Sequence, residues 1–267
     1  MKAVRQIQRF QLGALGFVLA LFAWESVARV FGVASPQTVR FFPPPTAVIA
    51  QARITLTDWR FWSSVNVTNL RVLAGFSFGI GLATPLGLLF SRSRLFDSLF
   101  SPVLDFGRYI PIPALVPLSI LWVGIGESQK VLILFLGTFF QHFVLTMDAA
   151  RRVAPEHIET ALTLGASRTE ILRFVILPAS LPAIYDAARV SMSQAWSYVL
   201  VAELVASQNG IGYSIIRAER FLQTDQIIIA VLVLGLIGLG YDRLFTAGRR
   251  ALFPWVPNET SIQEGTP

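Results

Sequence analysis

Cysteine is absent from the sequence, which excludes a disulfide framework and thiolate chemistry. Lysine occurs only as Lys2 and Lys130, and neither follows a glycine. A phosphate-cradling P-loop needs Gly-Lys-Ser/Thr, so the chain does not bind ATP in that way. Histidine occurs twice, as His142 and His157. No cluster of Asp, Glu, His or Cys gathers in one apolar run, which argues against a membrane-embedded enzyme such as a lipid-modifying transferase. Charge itself is scarce. Charged residues make up 14% of the chain, where an ordinary soluble domain carries about a quarter.

What the chain has instead is apolar length: 54% of its 267 residues are hydrophobic. Stretches without Asp, Glu, Lys or Arg run over 10–24, 72–91, 109–126, 131–147, 190–202 and 226–241. A bilayer-spanning helix needs about 20 mainly apolar residues, or about 17 at the short end. The second, third and fourth runs meet that outright. The others do so if Glu25, Arg29, Asp186, Arg189 and Glu203 sit near interfaces or face protein. Buried strands of an α/β domain run about 4–8 residues, too short to explain them. The expectation is an all-α integral membrane protein of about six spans, with a transmembrane domain over 12–250 between an N-terminal segment 1–11 and a tail 251–267.

The net charge of +6 invites a nucleic-acid reading, but its distribution points to topology. With the N-terminus inside, twelve Lys and Arg fall in cytoplasmic segments and six in external ones (Arg40, Arg53, Arg60, Lys130, Arg217, Arg220). That bias fits the positive-inside rule and puts both termini in the cytoplasm. The start "MKAVRQIQRFQLGALGFVLALFAW" also has the layout of a signal peptide, with Gly32 and Ala34 flanking Val33 as a cleavage site. Glu25 and Arg29 weigh against cleavage, and the later spans keep the same orientation either way.

Along the chain, Pro43-Pro44-Pro45 forces an extended stretch, and Thr46 is placed to cap a short helix over Ala47 to Ile54. Trp59 and Trp62 suit interface anchors. Gly75 and Gly79, four apart, leave one face of the second span open to close helix approach, unless they face lipid. The third span contains Pro111, Pro113 and Pro117, with Pro102 shortly before them. It is either a broken helix lining a wet path or a kinked packing helix. In the fourth, Gln141 and His142 face the bundle and hydrogen-bond there.

Between spans four and five, about residues 148–180, lies the densest charge in the chain. Pro155 opens a helix, Glu156 and Glu159 suit its positive end, and Gly165 closes it in a left-handed cap. Ser167 with Glu170 makes a capping box for a second helix, which Leu177-Pro178 stops. Ala161 and Gly165, four apart, share a small-residue face that something large can approach.

This segment resembles the signature loop of ATP-binding-cassette importer permeases: Glu-Ala-Ala, three residues, Gly, nine residues, Ile, one residue, Leu-Pro. Glu159, Ala161, Gly165, Leu177 and Pro178 match at that spacing, with Thr160 and Val175 as mild departures. From Pro43 onward, "FFPPPTAV", "RYIPIPALVPLSILWVGIGESQKV" and "VAELVASQNGIGYSIIRAERFLQTD" are similar to the nitrate, sulfonate, taurine and bicarbonate branch. The resemblance implies the type I importer-permease fold, with a coupling helix seated on an ATPase subunit through Glu159, Ala161, Gly165, Ala166, Leu177 and Pro178. It implies a multi-pass protein of the bacterial inner membrane without catalysis or cofactor of its own. The implied partners are a second permease copy, two ATPase subunits and an external binding protein that delivers a small anion.

The fifth span is the most polar. Ser191, Gln194 and Tyr198 fall on one helical face, which either lines the path or hydrogen-bonds neighbouring helices. Arg108 and Arg189 would give an anion a positive field, and Gln141 joins this candidate set. Asn209-Gly210 and Gly212 mark a turn after it. An ATP-independent channel or secondary carrier would show inverted repeats or ionisable residues deep in spans; neither is visible in the sequence.

Overall fold

The computed structural model describes residues 2–34 and 38–256, and among them every regular element is helical. In order these are α1 (Lys2–Ala34), α2 (Thr38–Phe41), α3 (Pro45–Thr55), α4 (Trp59–Phe90), α5 (Arg94–Tyr109), α6 (Val116–Val123), α7 (Glu127–Arg151), α8 (Pro155–Thr163), α9 (Arg168–Ile171), α10 (Leu177–Ala206), α11 (Ile211–Arg220) and α12 (Thr224–Leu252). A 3-10 turn, Ile112–Leu115, precedes α6, and a π-helical stretch, Leu172–Ile176, joins α9 to α10. They form two compact units. One comprises the chain up to Asn66 with Asn209–Leu234, the other Val67–Gln208 with the chain from Gly235 onward.

In the first unit, α1 is tied to the start of α3. The Trp24 indole N–H donates to the Pro43 carbonyl at 3.1 Å. The Glu25 carboxylate accepts from the Thr46 amide at 3.1 Å and its hydroxyl at 3.0 Å. Thr46 is therefore not the cap expected of it. Pro45, whose fixed φ suits a first helical position, starts the helix earlier, and the orphan Thr46 amide is satisfied by Glu25 instead. Gly210, at φ +102°, leads directly into α11, so Gly212 lies inside that helix rather than in the turn.

In the second unit, α7 and α10 share an extended interface. Alongside them α4 packs on α7 through glycines. A methyl group added at Gly75 or Gly79 would overlap Leu134 or Thr138, and one at Gly87 would lie 2.9 Å from Thr146. Partners 134, 138 and 146 rise with 75, 79 and 87, so the two helices run parallel. Gly81 has open space around it. On the other side α12 meets α10, where Arg189 grips Asp242 at 2.5 and 2.8 Å and the Trp196 and Tyr241 rings lie 5.8 Å apart.

Four helical segments are long and apolar enough to cross a membrane: Trp59–Phe90, Glu127–Arg151, Arg168–Val205 and Thr224–Leu252. The pair Leu95–Tyr109 and Ile112–Val123, bent by 93°, adds a fifth when taken together as one span. The first expected span, 10–24, falls within α1, where the side chains of residues 2–14 and 17 lie outside the described set. The third expected span is sharply broken rather than gently kinked. Ile110 precedes Pro111 and takes an extended ψ of 123°, because a residue before proline is pushed out of the helical region. A further correction concerns Leu177-Pro178, which does not stop the preceding helix. The Leu177 amide donates five residues back, to the Leu172 carbonyl, and the helix continues into α10. The widened turn absorbs the proline's missing donor and the crowding of its ring.

Candidate functional site

The α8–α9 segment is built to be stiff. At its first helix end the Gly165 amide donates to the Leu162 carbonyl at 2.9 Å and the Ala166 amide to the Ala161 carbonyl at 3.0 Å. With Gly165 at φ +82°, this is a Schellman cap. Next, the Ser167 hydroxyl accepts the Glu170 amide at 3.3 Å while the Glu170 carboxylate accepts the Ser167 amide at 2.8 Å. The amides of Gly165, Ala166, Ser167 and Glu170 are thus satisfied locally, by the cap and capping box expected from the sequence.

One side of this knuckle is anchored. Ile158, Ala161 and Ala166 pack on a buried cluster that includes Leu88 of α4, Ala149 and Ala150 of α7, and Ile184 of α10. Burying apolar area contributes roughly 25 cal/mol per Å2, so the cluster ties the knuckle to the ends of three long helices. Arg92 adds hydrogen bonds to the Ala150 and Val153 carbonyls at 3.3 and 3.2 Å, and Arg151 donates to the Ser91 carbonyl at 3.0 Å. These cations satisfy carbonyls at helix C-termini, where the dipole favours positive charge. The opposite side is open. Glu159 is exposed, as are Leu162 and Leu164, the latter by 83%.

Ala161 and Gly165 do not share a face. Ala161 turns toward the cluster, whereas Gly165 lies past the helix end with nothing within 4 Å of an added methyl group. Spacing alone missed this because the left-handed cap ends the helical register before residue 165. Leu177 packs on the same cluster. Pro178 lines a cleft of about 510 Å3 with His157, Thr160, Phe174, Ala179 and Trp255.

The polar set of α10 is turned mainly toward α7. Ser191 is fully buried, with its hydroxyl 3.0 Å from the Ala187 carbonyl and 3.3 Å from Nδ1 of His142. The other ring nitrogen of His142 lies 3.0 Å from the Thr84 hydroxyl, so this one imidazole links α4, α7 and α10. The Tyr198 ring covers Gly137, where an added methyl group would lie 2.5 Å from it. Gln141 and Gln194 are half-buried, and the Gln194 carbonyl oxygen has no hydrogen-bond partner among the described residues. Arg108 lies 3.2 Å from Asp105 on its own helix and Arg189 on Asp242, so each arginine carries its own carboxylate.

Sequence reasoning missed one cluster altogether. Arg71 and Glu203, the latter expected near an interface or facing protein, are buried, with side chains 3% and 0% exposed and 2.6 Å apart. Glu127 and Lys130 join them. The available signal was their isolation: a charge set alone in an apolar run must find a partner.

Residues 75–253 match the family described as "Binding-protein-dependent transport system inner membrane component". A probable ABC transporter permease protein of Brucella melitensis is 33% identical, covering 91% of this chain and 96% of its own length. The taurine transport system permease protein of Escherichia coli is 29% identical over 91% of this chain and 88% of its own. For the riboflavin transport system permease protein of Chloroflexus aurantiacus the figures are 32%, 94% and 94%. Among solved structures, a chain of the MetNI methionine ABC transporter in inward-facing conformations superposes with a TM-score of 0.60 at 21% identity. It covers 71% of this chain and 96% of that one. Its likeness carries the fold. The matched stretch spans the glycine-packed helices, the capped knuckle and the helix beyond it, and the chain belongs to the family of binding-protein-dependent transport system inner membrane components.

Proposed function

We propose that the chain is the permease subunit of an ATP-driven importer, paired with a second copy in the bacterial inner membrane. Two ATPase subunits seat on the α8–α9 knuckle from the cytoplasm, and an external binding protein delivers the substrate. The observation that carries this reading is the two-sided knuckle: one side welded to α4, α7 and α10, the other presenting Leu162 and Leu164 to a partner. Force applied there passes into three spanning helices at once. Segment 1–11 and the tail from 251 lie on the same cytoplasmic side.

The substrate is a small anion of the taurine and sulfonate class, with nitrate and bicarbonate as the nearest alternatives. The taurine relative supports it, and the riboflavin relative shows how far substrates diverge at similar identity. Its path runs along Gln141, Gln194 and Tyr198, with Ser191 fixing their helix and Arg108 and Arg189 adding a field that their carboxylates moderate.

Reconstitution with the cognate ATPase and binding protein tests the reading. Uptake of labelled taurine should require ATP, and Leu164→Glu should abolish ATPase co-purification while leaving the permease inserted. Flux without nucleotide would reject it in favour of a channel or secondary carrier.

A further inference from the structure

The buried charges on α4, α7 and α10 form a site rather than a simple bridge. Arg71 is held from one side: its Nη1 donates to Glu203 at 2.6 Å, and the Thr68 hydroxyl donates to the same carboxylate at 2.8 Å. Its other edge, Nε and Nη2, is bound by Glu127 in a two-pronged contact at 2.5 Å. Lys130, 4% exposed, lies 3.6 Å from that Glu127 carboxylate.

The two carboxylates are not equivalent. Glu203 is fully buried, and losing its cation would leave a charge with no water to take it up. Glu127 is 59% exposed and can return to water at little cost. It is the first residue of α7, next to a turn containing Gly124 at φ +76°, and a methyl group added at Gly124 or Gly126 would meet nothing within 4 Å. So a fixed guanidinium and a second cation converge on one replaceable carboxylate. The planar fork of an arginine edge accepts any two-oxygen anion in that geometry, whether carboxylate or sulfonate.

We propose that Arg71 and Lys130 form an oxyanion-binding site at the bundle end far from α8, filled in this structure by the chain's own Glu127, which an incoming sulfonate or carboxylate displaces. The inference deepens the anion reading above, yet its test needs no ATPase. The full-length chain, purified in detergent, is titrated with methanesulfonate and followed by thermal shift and calorimetry, with choline chloride at matched ionic strength as control. Removing an internal competitor raises apparent affinity by the inverse of the fraction of sites it left open. Glu127→Gln, which keeps shape and loses charge, should bind methanesulfonate about tenfold or more tightly than the unaltered chain. The neutral pair Arg71→Gln with Glu203→Gln should lose the binding. Equal affinity in Glu127→Gln and the unaltered chain, or binding retained in the double variant, overturns the proposal. Should Glu127→Gln fold poorly, Glu127→Asp serves: its shorter carboxylate competes less well, and an affinity no higher than that of the unaltered chain overturns the proposal equally. Absent ATP-driven uptake would defeat the importer reading and leave this result standing.

Discussion

Gly79 of α4 lies directly against Thr138 of α7, so close that a single added methyl group would overlap the threonine hydroxyl. Thr138 is fully buried there, its hydroxyl turned back to its own helix at the Leu134 carbonyl, 2.7 Å away. Overpacking a filled contact costs about 1–3 kcal/mol. Gly79→Val should lower the melting temperature of the purified chain by several degrees. Gly81→Ala, two residues on and facing open space, should leave it unchanged. Equal melting temperatures for the two variants would contradict the glycine-mediated approach of the helices.

Gly165 makes a separate demand, because only its backbone is special. A left-handed residue other than glycine costs about 1–2 kcal/mol. Gly165→Ala should therefore weaken ATP-coupled uptake through the cap, and Gly165→Asn, which tolerates that conformation, should recover part of it. Gly165→Trp adds bulk on the open side and should also block ATPase association, read by co-purification. Full pumping by the tryptophan variant would remove the knuckle from the coupling mechanism.

Removing one member of a buried ion pair is worse than removing both. Arg71→Met leaves Glu203 buried without its cation and should destabilise the chain by roughly 3–5 kcal/mol. The double variant Arg71→Met with Glu203→Leu should regain much of that. Thermal unfolding of the three proteins in one detergent decides; a double variant no more stable than the single one would show that the pair contributes through other contacts.

Gln194, whose carbonyl oxygen is buried without a partner among the described residues, and Tyr198, whose ring covers Gly137, separate path from packing. Gln194→Ala should change uptake rate or substrate choice while leaving melting temperature near that of the unaltered protein. Tyr198→Phe keeps the ring on Gly137 and should change transport only if the hydroxyl meets substrate. Uptake unaltered in both would assign this face to helix packing alone.

Features that local chemistry decides were legible in the residues alone. Apolar length announced the spans, Gly165 announced the left-handed cap, and Ser167 with Glu170 announced the capping box, because each depends on residues within a turn or two. The break at Ile110-Pro111 was legible as one of two outcomes for the same reason. The match of Gly75 and Gly79 to Leu134 and Thr138, the burial of Arg71 with Glu203, and the turning of Ala161 inward were decided only in the tertiary structure. Each joins residues far apart in the chain, and spacing carries no record of which helix arrives opposite. Pro178 shows the boundary. Taken locally it stops a helix; in the packed bundle a π turn keeps the chain helical, since an apolar helix held against its neighbours has more to lose by breaking than by widening.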